Sequence, residues 1–203
     1  MKIPESIQRE YETWRKFLEE RIQFHMADSR QHTKEHCARV LLYCLLLAEK
    51  MRLTKEETDI LCMAAVFHDS CRQDDWYDVG HGQRAADYYR EFSSSSELPF
   101  DQRCYDIVAY HDRDDEVGKE AFAQKDGQTP SSLKQLCLLY DIFKDADALD
   151  RYRLAATALD ETMLRTEEAR GITGFARRMV TENRRISPNS LSESSPEGNG
   201  TSK

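Results

Sequence analysis

The sequence predicts an all-α fold, and three observations carry that prediction. Apolar residues recur at intervals of three and four, no alternating Val/Ile/Thr-rich run occurs, and only eight Gly and five Pro interrupt 203 residues. A chain of this length is enough for one domain and marginal for two. Hydrophobic residues at 39% and charged residues at 33% suit a packed core under a well-solvated surface.

Ile7, Tyr11, Trp14, Leu18 and Ile22 step by 4, 3, 4 and 4, which marks an amphipathic first helix. A second helix is expected from Lys34 to Met51, with Val40, Cys44, Leu47 and Met51 on one face. Thr54-Lys55-Glu56-Glu57 is a capping box that opens a third helix through Ile60, Ala64 and Phe67. An Asp- and Gly-containing loop from Ser70 to Gly80 follows, then a helix from His81 to Phe92. The Ser93–Ser96 run reads as a polar loop, and Asp101 as the cap of a helix carrying Cys104, Ile107, Val108 and His111. Arg113 to Pro130 is mostly polar and is expected as a surface excursion. Ser132-Leu133-Lys134-Gln135 reads as a second capping box, starting a helix with Leu133, Leu136, Cys137, Tyr140 and Phe143 on one stripe. Two shorter helices are expected near 155–169 and 172–185. Ser187 to Lys203 holds six Ser and a single apolar residue, Leu191, too little to bury, so this tail is expected to be disordered. The organisation is one helical domain over 1–186 followed by the tail 187–203.

Charge and composition narrow the function. Lys and Arg number 29 against 37 Asp and Glu, a net charge of −8 that disfavours a nucleic-acid partner. No run approaches the ~18 apolar residues of a spanning helix; the best candidate, Val40 to Leu47, soon meets Glu49 and Lys50. The N-terminus reaches Glu5 without an apolar signal core, so a cytoplasmic protein with no membrane partner is expected. Six cysteines contain no Cys-x-x-Cys pair, which removes zinc ribbons and thioredoxin-like redox sites and leaves reduced thiols filling the core.

Histidines and aspartates at particular helix positions carry the chemistry. His36 stands four residues before Val40 and eight before Cys44, on the buried stripe of its helix. His68-Asp69 closes the third helix directly after Phe67. His111 follows Val108 by three and Ile107 by four, and Asp147 follows Phe143 by four and Tyr140 by seven, so both are expected to point inward. A lone histidine on an apolar face is ordinarily a satisfied core residue, and a lone aspartate a cap or an ion pair. Five such residues converging are different, because a buried carboxylate must neutralise or find a cation. Neutral imidazoles with carboxylates suit a divalent first-row metal in an open site.

Three segments, His36-Cys37-Ala38-Arg39-Val40, Ala64-Ala65-Val66-Phe67-His68-Asp69 and Lys144-Asp145-Ala146-Asp147-Ala148-Leu149-Asp150-Arg151, together resemble the HD-domain superfamily of metal-dependent phosphohydrolases. The resemblance covers most of the span 34–155 and implies an all-α HD-type helical bundle. It assigns the metal to His36, His68, Asp69 and Asp147. His32 shares a face with His36, but the His-x-x-Arg-Val context favours His36. Several subgroups carry further histidines that hold a second metal or the substrate phosphate, which here implicates His81 and His111. Asp69 then bridges two ions and is the expected catalytic acceptor of a water's proton. Arg72, Lys144 and Arg151 are the candidate substrate-phosphate ligands, with Arg153 between that role and a surface ion pair.

The cofactor implied is a divalent metal, with Mn, Mg, Co, Ni, Fe and Zn undistinguished, at one or two ions per chain. The partner implied is a small phosphorylated metabolite or nucleotide. Two departures matter. Arg72 stands where some mononuclear members have a Glu, which leaves the family's general acid/base unassigned, and no Gly-Tyr-Pro signature accompanies the His-Asp pair. Two further functions stay open: a di-iron oxygenase of the same superfamily, and a non-catalytic nucleotide-sensing module.

Overall fold

A computed structural model describes residues 3–26, 29, 33–76 and 78–186. The described residues form nine α-helices and no strand. α1 spans Glu5–Arg21, α2 Lys34–Met51, α3 Lys55–Phe67, α4 His81–Ser94, α5 Gln102–Tyr110, α6 Asp115–Ala123 and α7 Pro130–Leu149. Two 3₁₀ turns, Asp150–Arg153 and Glu161–Met163, lead to α8 (Glu167–Arg170) and α9 (Thr173–Ile186). The tail from Ser187 and the residue His32 lie outside the described residues.

α2 is the axis of the bundle. From His36 to Ala48 every residue except Arg39 is buried. A helix apolar on all sides has to be covered on all sides, and α1, α3 and α7 pack around it. The Thr33 hydroxyl accepts from the His36 N–H at its start, and Arg52, at φ 55°, ends it by returning its N–H to the Ala48 and Glu49 carbonyls. α3 opens on the expected capping box, with Thr54 and Glu57 capping each other reciprocally. At its far end Phe67 is fully buried and meets the rings of Tyr88, Tyr89 and Phe92 of α4 at 5.1–5.6 Å. Removing such a ring costs ~3–5 kcal/mol; here it also fixes the His-Asp pair that follows directly.

α4 and α5 approach closely at Gly82. A Cβ there would meet the Val108 carbonyl oxygen at 2.7 Å and Asp112 Oδ1 at 2.8 Å, so this crossing requires glycine. Five of the six cysteines are buried, Cys137 is half-buried, and all are free thiols. No helix among the described residues is long and apolar enough to cross a membrane.

Four boundaries differ from expectation. α4 continues through Ser94 because the Ser94 hydroxyl turns back to the Glu91 carbonyl and lets the last turn close. The polar stretch after Arg113 contains α6, which buries Phe122 and sets Gly118 against Tyr140. α7 begins at Pro130, with Thr129 rather than Ser132 as its cap: Thr129 Oγ1 accepts from the Ser132 N–H and Ser132 answers to the Thr129 N–H. The stretch 155–169 is not one helix. Asp145, buried in α7, accepts the backbone N–H groups of Arg165 and Thr166 at 2.8–3.1 Å, diverting the chain into a clasped loop before the short α8.

Candidate metal centre

Four histidines stand at helix ends and face one another. His36 lies in the first turn of α2, His68 follows the last residue of α3, His81 is the first residue of α4, and His111 follows the last residue of α5. All four are buried. Each is oriented through Nδ1. That of His68 faces the Ala65 carbonyl at 3.0 Å, that of His81 the Asp78 carbonyl at 2.6 Å, and that of His111 the Val108 carbonyl at 2.7 Å. In all three the acceptor is the carbonyl three residues earlier. His36 is the exception, with Nδ1 at 2.8 Å from Asp150 Oδ2. These acceptors assign the proton to Nδ1 in every ring, so all four Nε2 atoms present a lone pair.

Those lone pairs meet in two groups. His36 Nε2 and His68 Nε2 are 3.2 Å apart, and His81 Nε2 and His111 Nε2 are 2.9 Å apart. Facing lone pairs this close repel, so positive charge, a proton or a metal ion, must be shared among them. Asp147 Oδ1 joins the first pair, 3.2 Å from His36 Nε2 and 3.9 Å from His68 Nε2. Asp69 divides between the two. Its Oδ2 lies 3.4 Å from His36 Nε2 and 3.8 Å from His68 Nε2, while Oδ1 lies 3.2 Å from His81 Nε2 and 3.9 Å from His111 Nε2. The sets His36–His68–Asp147 and Asp69–His81–His111 each offer three donor atoms within 4.8 Å of one another. Ligands about 2.0–2.2 Å from a first-row ion sit about 3.0–3.5 Å from each other, so the donor spacing and donor types fit such an ion.

The electrostatics agree. Burial opposes protonation of His36, but hydrogen bonds to Asp147 and Asp150 carry it above the ordinary histidine value. Burial pushes His68 down to about 3. Burial also opposes protonation of His111, and its hydrogen bond to Asp69 outweighs that. Burial would raise Asp147, yet the hydrogen bond with His36 holds it well below the usual carboxylate range. The centre therefore keeps Asp147 ionised and draws positive charge.

All six expected ligand residues come together here. Asp147 differs in one respect: its side chain is 37% exposed, facing an open cavity rather than the apolar core. That cavity, of about 670 Å³, is lined by the centre and also by Arg72, Lys144 and Arg151. The three bases differ in what already holds them. Arg72 Nη1 sits 3.1 Å from His81 Nε2 and 3.6 Å from Asp69 Oδ1, and its Nη2 donates to the Trp76 carbonyl. Lys144 pairs with Asp115 at 2.8 Å. Arg151 is exposed and has no ion pair among the described residues. His25 is exposed and belongs to neither donor set, although its backbone N–H donates to the Ser70 carbonyl at 2.9 Å.

Sequence reasoning missed two supports. Asp150, completely buried, holds His36 and is itself gripped by Arg39. Its signal was an Asp three residues after Asp147, matched by an Arg three after His36. Asp112 Oδ2 accepts the Gly80 N–H at 2.5 Å, so a residue beside His111 seats the start of the helix that carries His81. A family model described as HD domain matches residues 33–152. No curated protein and no solved structure matches the chain.

Proposed function

The chain belongs to the HD-domain family, and on that premise we propose that it is a divalent-metal-dependent phosphohydrolase acting on a small phosphorylated metabolite or nucleotide. The observation that carries this reading is Asp69, whose two oxygens face two separate histidine pairs beneath a cavity lined by Arg72, Lys144 and Arg151. His36, His68 and Asp147 would hold one ion, and His81 and His111 a second, with Asp69 available to both groups. Imidazole-rich donors favour Mn, Fe, Co, Ni or Zn over the harder Mg and Ca. The chemistry supplied by a divalent ion held by these residues would be an activated water and a polarised phosphoryl oxygen. Asp69 takes the proton that the attacking water gives up, and Arg151 balances charge on the phosphoryl oxygens.

A one-ion reading has an observation of its own. The Arg72 guanidinium already stands against His81 and Asp69, supplying positive charge to the second group. In that case His81, His111 and Arg72 grip the substrate phosphate. Metal analysis separates the two readings: two ions per chain, falling toward one in His81→Ala or His111→Ala, support the dinuclear centre. Saturation at one ion in all three proteins establishes the phosphate clamp.

The activity test is a panel of phosphate esters with Mn, Mg, Co, Ni and Fe supplied separately, run with and without air. Metal-dependent phosphate release under both conditions, abolished in Asp69→Ala, supports hydrolysis. Turnover that requires dioxygen would instead identify an oxygenase, and nucleotide binding without turnover a sensing module.

A further inference from the structure

Six large hydrophobic side chains are exposed among the described residues, and three of them, Trp76, Leu154 and Met163, line the cavity above the metal centre. Trp76 is 86% exposed, Met163 69% and Leu154 46%. Scattered exposed apolar residues need no explanation, but several around one polar cavity do. They come from distant parts of the chain: Trp76 from the loop after the His-Asp pair, Leu154 from the end of the first 3₁₀ turn, Met163 from the second.

Their backbones are pinned while their side chains are left open. The Trp76 N–H donates to Asp74 Oδ1 at 2.7 Å, and its carbonyl accepts from Arg72 at 2.9 Å. The Trp76 indole makes no ring contact among the described residues, whereas Trp14 packs on Phe17 and donates to Glu10. The loop carrying Met163 is anchored on both sides: Leu159 and Leu164 are buried, and Asp145 takes the Arg165 and Thr166 N–H groups. Arg165 is also gripped through two nitrogens by Asp115, at 2.6 and 2.8 Å. The apolar rim is thus a fixed feature and not a loose segment.

A cavity with carboxylates and imidazoles at its floor, an exposed Arg151 in its wall and an apolar, aromatic rim is amphipathic from bottom to top. We propose that Trp76 is a specificity-determining residue that stacks on a flat ring in the organic group of the phosphate ester, with Leu154 and Met163 packing beside it. The substrate class is a phosphate monoester bearing such a ring. This rests on the phosphohydrolase reading of the same site and narrows it.

The test uses two esters with the same primary alkoxide leaving group, a nucleoside 5′-monophosphate and ribose 5-phosphate, which differ only in the ring. Trp14→Phe leaves Trp76 as the one tryptophan, because the chain has two. In that protein the nucleotide should quench Trp76 emission and ribose 5-phosphate should not. Trp76→Ala should raise KM for the nucleotide about tenfold, the scale of a lost base–aromatic stack, and leave ribose 5-phosphate unchanged. Trp76→Phe should restore most of the difference. Equal hydrolysis of both esters, with no ring-dependent quenching, overturns the stacking role while leaving hydrolysis standing. Ring-dependent quenching without phosphate release from either ester does the reverse: Trp76 keeps its role and the phosphohydrolase reading fails.

Discussion

Arg39 grips Asp150 through two nitrogens, Nε at 2.6 Å from Oδ1 and Nη2 at 2.9 Å from Oδ2. The same carboxylate holds His36 Nδ1 at 2.8 Å. One buried residue outside the candidate ligand set thus couples the folding of α2 onto the end of α7 to the direction of the His36 imidazole, a candidate metal ligand. Asp150→Ala leaves Arg39 without its partner, a loss on the order of 3 kcal/mol. It also lets His36 turn, so metal affinity should fall ~10–100-fold. Calorimetric metal titration and thermal unfolding read the two effects. Asp150→Asn, which keeps an acceptor oxygen, should spare more stability than affinity. Full affinity in both variants would remove Asp150 from any role in orienting the ligand.

Gly82→Ala tests the crossing of α4 and α5. Its Cβ would lie 2.7 Å from the Val108 oxygen, and a backbone oxygen in a helix cannot step aside. Overpacking of this kind costs ~1–3 kcal/mol. The helices separate and draw His81 away from His111, so in a dinuclear centre the ion at that pair should be lost first. Gly174→Ala, where the nearest atom is the movable Arg178 side chain at 3.9 Å, should change neither stability nor metal content.

Two of the candidate phosphate ligands, Arg151 and Lys144, should respond differently. Arg151, exposed and without an ion pair among the described residues, has no structural duty to lose. Arg151→Ala should raise KM for a phosphate ester about tenfold with an unchanged melting temperature, because it removes one charge-assisted contact. Lys144→Ala should lower the melting temperature, since it removes a partner of Asp115. Steady-state kinetics beside a melting curve for each variant distinguishes them; a melting loss in Arg151→Ala would show that its side chain is a structural part.

Asp115 gives the pH dependence. Burial would raise its carboxyl, but hydrogen bonds from Arg165 and Lys144 prevail and hold it below the usual carboxylate range. A folded value below the unfolded one stabilises the protein above the ordinary Asp pKa of about 3.9, and this contribution is lost progressively as pH falls from there through the lower folded value. Asp115→Asn should therefore melt several degrees lower than wild type at pH 7, and the gap should narrow progressively below about pH 4. A gap that persists unchanged into acid would mean that ionisation of Asp115 contributes nothing to stability.

The convergence of the candidate ligand residues was legible because helical spacing places them. His36 precedes Val40 by four, His111 follows Val108 and Ile107 by three and four, and Asp147 follows Phe143 by four, and the helix carries that spacing into direction. Asp150 was not legible in this way, because it lies on a 3₁₀ turn just past α7, where the 3.6-residue period has ended. The helix expected over 155–169 failed for a tertiary reason: Asp145 captures two backbone N–H groups that a helix would have used internally. α6 was hidden by its polar face, since only Phe122 and Gly118 of its nine residues are buried. Trp76 offered no pattern at all, because a side chain that serves a cavity follows no period.

Three of the four imidazoles are held by the carbonyls of Ala65, Asp78 and Val108, which belong to the main chain. No substitution at those positions can delete the acceptor, so mutation can drift there without turning a ligand. His36 differs in having a side-chain oxygen, that of Asp150, as the hydrogen-bond acceptor at its Nδ1. Inherited variation that spares the imidazoles themselves therefore reaches the tautomers of the centre most directly through the codon of Asp150.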